Sequence, residues 1–253
     1  MSGMTGPPFT DLNHVLTTTR SVRRRLDYDR PVPLDVIGEC LQLAVQAPTG
    51  GAAEDWRWVV VGDPDRKAEL ARLYLDAYLE HVHAPLHSAE GAESRTVRGR
   101  LGGVDEHGTV SARTARILSG AEHLAHHLGR APFLVIPCAT RPNPAKGGPG
   151  THSAVYGSLY PAIWQFNLAL RARGLGTVIT TLHLHHAAAA AALLGIPEDA
   201  LQITMLPVAY TQGTDFKVAA RKPVSSVAYL DRWGEPLPYV DKPVDRLTGD
   251  DVT

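Results

Sequence analysis

The longest periodic stretch of the chain, His152 to Arg173, constrains everything built around it. Val155, Leu159, Ile163, Phe166 and Leu170 fall on one stripe at helical spacing, and Ala162, Trp164 and Leu168 carry the apolar character nearly all round. Such a helix belongs in the middle of a core or at a subunit interface, because water would meet apolar surface on any side left open. Gly174 predicts its end as a C-cap.

Shorter patterns surround it. Asp11 to Thr19 has helical spacing with Asp11 as N-cap. Pro33 opens a helix that buries Val36, Ile37, Cys40, Leu41 and Ala44 and stops before Pro48-Thr49-Gly50-Gly51. Trp56 to Val61 reads as a strand closed by Gly62-Asp63-Pro64, and Asp65 to Glu80 as a helix with Leu70, Leu73 and Ala77 on one face. From His81 to Gly108 the pattern dissolves, which predicts a long surface loop or lid. Helix returns over Ala112 to Gly129, a buried strand over Phe133 to Cys138, and a Pro/Gly loop over Arg141 to Gly150. Gly176 to Leu182 is strand-like, Ala187 to Leu194 is an Ala-rich helix ended by Gly195, and Leu201 to Tyr210 is another strand. No repeat or clean boundary divides the 253 residues, so one domain is expected. Helices and strands interleave without a strict βαβ rhythm, which points to mixed α/β or α+β.

Charge and cysteines narrow the function classes. Twenty-five Lys and Arg against 26 Asp and Glu leave no global attraction to nucleic acid or membrane. Cys40 and Cys138 are too few for a disulfide framework and read as buried small hydrophobes in a reducing compartment. Met1 to Asp11 has no apolar signal-peptide core, and no run of about 18 apolar residues occurs. The expectation is a cytoplasmic protein with no membrane or nucleic-acid partner.

Four clusters bear on chemistry. In Arg20-Ser21-Val22-Arg23 the two guanidiniums and the hydroxyl can converge on a phosphate, since the planar fork of arginine donates two parallel bonds to phosphate oxygens. A solvated basic face or a nucleic-acid patch is the plainer alternative. Gln46 to Trp56, with Pro48, Thr49, Gly50 and Ala52, is a turn through which backbone can approach a flat ligand, or simply a connection from helix to strand. Gly174-Leu175-Gly176-Thr177 follows a helix and precedes a strand, the reverse of a dinucleotide fingerprint. Lys217 to Pro223 places Arg221 and Lys222 after a strand. His183, His185 and His186, like His123, His126 and His127, lack an acidic partner at ligand spacing, so no metal site is expected. There is no GxSxG elbow and no CxxC pair.

The order and spacing of these clusters resemble the nitroreductase family of flavoproteins. The match runs from Arg-Ser-x-Arg through Pro-x-Pro opening a helix, Ala-Pro-Thr-Gly, and a Trp-led Val-rich strand. It continues through Gly-Leu-Gly-Thr after the long helix to Arg-Lys-Pro, covering roughly residues 12 to 228. The resemblance implies an α+β sandwich: a mixed central β-sheet flanked by helices, in a homodimer with exchanged C-terminal segments. Residues 1–10 would be a flexible N-terminus and 229–253 an extension onto the partner. FMN would bind between subunits. Arg20, Ser21 and Arg23 match positions at the phosphate and ribityl chain, and Arg221 the downstream phosphate-side arginine. Pro48, Thr49, Gly50 and Ala52 match the turn that the second subunit lays on the flavin. Thr180, Thr181 and Leu182 match the segment beside its N5 edge, and His127 a basic position at the pyrimidine edge.

The chain departs from the pattern at Thr19, where a second basic residue is common, at Ala52, Glu54 and Asp55, where Asn and Gln are usual, and at Ala219, a common Lys. The implied activity is ping-pong hydride transfer from NAD(P)H through the flavin to a nitroaromatic or quinone-like acceptor, with no obligatory side-chain acid or base. Alternatives within the resemblance are a flavin-dependent enzyme acting on another small metabolite, and a flavin-sequestering protein without turnover.

Overall fold

A computed structural model describes residues 11–87, 111–140 and 147–244. The expected flexible N-terminus, most of the expected lid, and the end of the C-terminal extension lie outside the described residues. Helix α1 (Leu12–Thr18) starts where the Asp11 carboxylate accepts from Asn13 N, and α2 (Leu34–Ala44) follows Pro33 as its cap. Further helices are α3 (Pro64–Tyr78), α4 (Ala84–His87), α5 (Ala112–His127), α6 (Pro149–Ala172) and α7 (Ala187–Leu194). A π-helical turn, Leu79–His83, joins α3 to α4, so the first part of the expected lid continues the helix. The strands are β1 (Leu26–Asp27), β2 (Trp56–Val61), β3 (Phe133–Ala139), β4 (Leu175–Gly176), β5 (Leu201–Gln202) and β6 (Leu206–Thr211).

The sheet runs β1-β6-β3-β2, with β4 on β6 and β5 on β3. Every ladder among the described residues is antiparallel, and the parallel contribution is a single bridge from Ser21 to Thr177. Strand β3 is central and covered on both faces, so it reads as an unbroken apolar run. Leu134, Ile136 and Cys138 join a core with α3, α5 and α7, while Val135 and Ala139 join a second core with α2 and α6. Both cysteines are buried and free.

Two strand expectations need correction. Gly176 to Leu182 is not a strand beyond Gly176. Thr177 O accepts from Val22 N, Thr180 pairs with Met205, and Leu182–His186 winds into a 3-10 helix. The segment thus makes single bridges to different neighbours instead of a ladder. Leu201 to Tyr210 is interrupted at Ile203–Met205. Gln202 opposes Cys138 while Leu206 opposes Val135, so this strand carries one residue more than β3 across the break. That is a bulge, and it turns Thr204 and Met205 toward Thr180.

Helix α6 buries its predicted stripe: Val155, Leu159, Ile163, Phe166 and Leu170 are all inside. Its other face is open in the single chain. Tyr156, Tyr160 and Trp164, one turn apart, are exposed, Trp164 by 43%. The described residues beyond Thr211 are mostly exposed, and Trp233, 91% exposed, rests on Tyr229 with ring centroids 4.9 Å apart. Among the described residues no helix is long and apolar enough to cross a membrane.

Candidate functional site

The cationic end forms where the chain leaves α1. Arg20 is half-buried and donates Nη1 to Thr19 O at 3.1 Å and Nη2 to Lys217 O. Burial lowers its pKa, and the charge of Arg221 lowers it further, so these two guanidiniums share one locality. Among the described residues no carboxylate is paired with either; Asp215 pairs with Arg25, Asp29 with Arg130 and Glu39 with Arg173. Ser21 is exposed beside them and bridges Thr177, while Val22 N donates to Thr177 O at 2.9 Å. Gly176 permits this close approach: a Cβ there would lie 2.6 Å from Thr211 Cγ2 and 3.0 Å from Val22 Cβ.

Arg23 connects this end to the Thr180 segment. Its side chain packs on Gly120 of α5, and burial lowers its pKa while the nearby Tyr74 phenol counters the shift. Tyr74 OH lies 2.7 Å from Thr180 Oγ1. Burial raises the Tyr74 pKa, with Thr180 and Arg23 opposing. Thr180 is held from the other side as well, by main-chain bonds to and from Met205 and by Thr204 Oγ1 donating to its carbonyl at 2.7 Å. Thr181 is exposed and lines a cavity of about 790 Å³ with Tyr156, Tyr160, Leu184, Ala187 and Gln202. The structure therefore places Arg20 with Arg221, Ser21 beside Thr177, and Arg23 with Tyr74 and Thr180, while Thr181 faces the cavity that Tyr156 and Tyr160 line.

The turn stands apart. Pro48, Gly50 and Ala52 are exposed and Thr49 is half-buried; the turn is tied to α6 by Gly50 N donating to Ser158 Oγ at 3.0 Å. Gly51, Ala52 and Glu54 take φ of 63°, 52° and 47°, the left-handed region where a Cβ is disfavoured. Asn tolerates that region better than Ala, so the departure at Ala52 has a conformational cost. Ser158 and Arg171 lie thirteen residues apart on α6, about 20 Å by helical rise, which separates this turn from the cationic end.

His127 has its own company. Its Nδ1 is 2.8 Å from His123 O, and its ring stacks on His123 and Tyr28. His81 and His185 stack with centroids 3.8 Å apart, pinning the π-helical turn to Leu182–His186. His183 is fully buried and its pKa is pushed down to about 4 by burial. Among the described residues no three His, Cys, Asp or Glu side chains are grouped to hold a metal ion.

Sequence reasoning missed Tyr74, which shares the α3 face of Leu70 and Ala77 and passes for core. It also missed Arg171, which sits near the end of α6 like a solvated arginine yet is only 3% exposed.

The structure thus combines an α+β sandwich with neighbouring arginines and a doubly tied Thr180. The chain belongs to the nitroreductase family, whose profile matches residues 16–210. It is similar to the iodotyrosine deiodinase of Drosophila melanogaster, 24% identical over 219 residues, covering 85% of this chain and 68% of the relative. Among solved structures it is similar to an iodotyrosine deiodinase bound to FMN and 3-iodo-L-tyrosine, with TM-score 0.57, 19% identity, and coverage of 88% of this chain and 98% of that one. It is also similar to an FMN-dependent nitroreductase from Mycobacterium smegmatis in complex with NADPH, with TM-score 0.59, 17% identity, and coverage of 87% and 97%. At these identities the structural likeness is one of fold.

Proposed function

We propose that this chain is an FMN-dependent oxidoreductase that uses NAD(P)H to reduce a small electron-poor acceptor, nitroaromatic or quinone-like. The observation that carries the reading is the meeting of Arg20 and Arg221 without a carboxylate between them. Like charges held together favour a dianion, and two guanidinium forks suit a phosphate. Arg20, Ser21 and Arg221 would hold the FMN phosphate. Arg23, backed by Tyr74, would offer positive charge at the edge of the ring that becomes electron-rich on reduction. Thr180, Thr181 and Leu182 would border the ring, with Thr180 fixed by Tyr74 and Met205. Bound there, FMN supplies hydride acceptance and donation at its N5, while the protein binds, orients and shields. His127, engaged by His123 and Tyr28, has the least direct part in this reading.

The same reading makes the protein a cytoplasmic homodimer. Pro48, Thr49, Gly50 and Ala52 sit too far along α6 to serve the flavin of their own Arg20 end, and would serve the partner's. The open Tyr156, Tyr160 and Trp164 face and the exposed apolar tail after Tyr229 supply surface for a second copy.

A second reading, reductive dehalogenation of a small aromatic compound, is favoured by the similarity to iodotyrosine deiodinase. The test is the visible spectrum of the purified protein, recorded before and after anaerobic NADH or NADPH. Flavin bands that bleach, and recover on adding a nitroaromatic or a quinone, support the proposal. Recovery with a halogenated phenol alone supports the second reading. A colourless protein that binds no added FMN overturns both.

A further inference from the structure

Three arginines grip one short stretch of main chain. Arg25 Nε donates to Gln212 O at 2.7 Å, Arg171 Nη2 donates to Thr214 O at 2.8 Å, and Arg20 Nη2 donates to Lys217 O. In return Gln212 N donates to Arg25 O at 2.8 Å. The Phe216 ring lies 4.2 Å from the Arg25 guanidinium carbon and 4.8 Å from that of Arg171. Residues 212–217 form no helix or strand of their own. They are a strap held by guanidiniums, and Arg221 follows four residues after it.

Arg171 differs from the other two. It projects from the last turn of α6, inside the protein, and its Nη2 also reaches Thr18 Oγ1 at 3.1 Å. One buried guanidinium nitrogen thus joins the long helix, the residue two positions before Arg20, and the strap that leads to Arg221. Its pKa is lowered first by burial and then by the charges of Arg25 and Arg20. Burying a guanidinium beside two others is unfavourable, and an apolar side chain of similar volume would fill the space at lower cost. What an apolar side chain lacks is the ability to hold Thr18 and Thr214 at once.

We infer that Arg171 is a positioning residue that sets the spacing of Arg20 and Arg221, and through it the preference of the site for a flavin bearing a 5′-phosphate over the dephosphorylated one. The inference rests on the proposed FMN reading. Arg171 itself touches the strap, not the phosphate.

The test is the ratio of riboflavin to FMN dissociation constants, measured by titration calorimetry on the full chain for wild type, Arg171→Met and Arg171→Lys. The ratio should fall about tenfold in Arg171→Met, as expected for loss of charge-assisted bonds that align the phosphate arginines, with riboflavin affinity unchanged. Arg171→Lys keeps the charge but its ammonium ends one bond short of the Nη2 that reaches both Thr18 and Thr214, so its ratio should fall about threefold; it decides the matter if Arg171→Met does not fold. FMN and riboflavin weakening together, or a lowered melting temperature with an unchanged ratio, overturns the positioning role and leaves the FMN reading standing. A wild type that binds riboflavin as tightly as FMN overturns the phosphate assignment, and the role of Arg171 with it.

Discussion

The two ends of α6 are built on opposite plans. At its C-terminal end several side chains near the candidate phosphate position are tied more than once. Arg171 holds Thr18 and Thr214, Arg25 holds Gln212 and Asp215, and Thr180 is bound from both sides. Further toward the N-terminus the same helix presents Tyr156, Tyr160 and Trp164 to solvent, and the Pro48–Ala52 turn touches it through Ser158 with left-handed residues left strained. The difference teaches where a single chain is sufficient and where it is not. The tied end is preorganised by its own chain. The open end carries apolar surface and a strained turn, the features the proposed second copy would cover.

The largest effect should come from breaking the tied end. Arg20→Ala with Arg221→Ala removes two charge-assisted contacts, which at about 2 kcal/mol each weaken FMN binding roughly a thousandfold. Fluorescence titration of the apoprotein measures it, and a double variant that purifies with full flavin breaks the comparison.

His183, buried in the 3-10 turn after Thr181, tests the fold through pH. Its folded pKa of about 4 lies below the ordinary 6.5, so the unfolded chain binds the extra proton first. Stability from burying the neutral ring is complete above pH 6.5 and is lost as pH falls toward 4, a change on the order of 3 kcal/mol. Thermal melts across that window should flatten in His183→Leu; an unchanged slope would assign the acid sensitivity elsewhere.

The open end is probed by Trp164→Glu. A charge on that stripe should cost about 2 kcal/mol of association, shifting sedimentation toward monomer while leaving the single-chain fold intact by circular dichroism. The smallest expected effect is at the turn. Ala52→Gly relieves a left-handed alanine and should raise the urea midpoint by the equivalent of about 1 kcal/mol, without changing FMN affinity at the tied end.

The sequence showed regular elements wherever local signals agreed. The stripe of α6, the Ala-rich α7 stopped by Gly195, and Trp56 to Val61 all lie where periodicity and punctuation put them. It failed where pairing is decided by distant chain. Gly176 to Leu182 is rich in β-branched residues, but β propensity does not distinguish one bridge from a ladder. The bulge at Ile203–Met205 depends on the register against β3, which no local pattern encodes. At the site, Arg20, Ser21, Arg23 and Arg221 were legible as residue types in order. Arg171 was not, because its burial is created by Phe216 and Thr214, more than forty positions later.

On the proposed FMN reading, the strap would also tie cofactor loading to synthesis of the chain past Lys217. Its bonds to Arg20 and Arg25 span 197 and 187 residues of sequence, among the longest loop closures between described residues. Contacts of such separation form late, since their closure entropy is repaid only once the intervening structure has gathered. A nascent chain that has not passed Lys217 has its N-terminal arginines but nothing to aim them. Flavin colour would then appear late in folding, reporting that the Arg20–Arg25 segment and the strap have met.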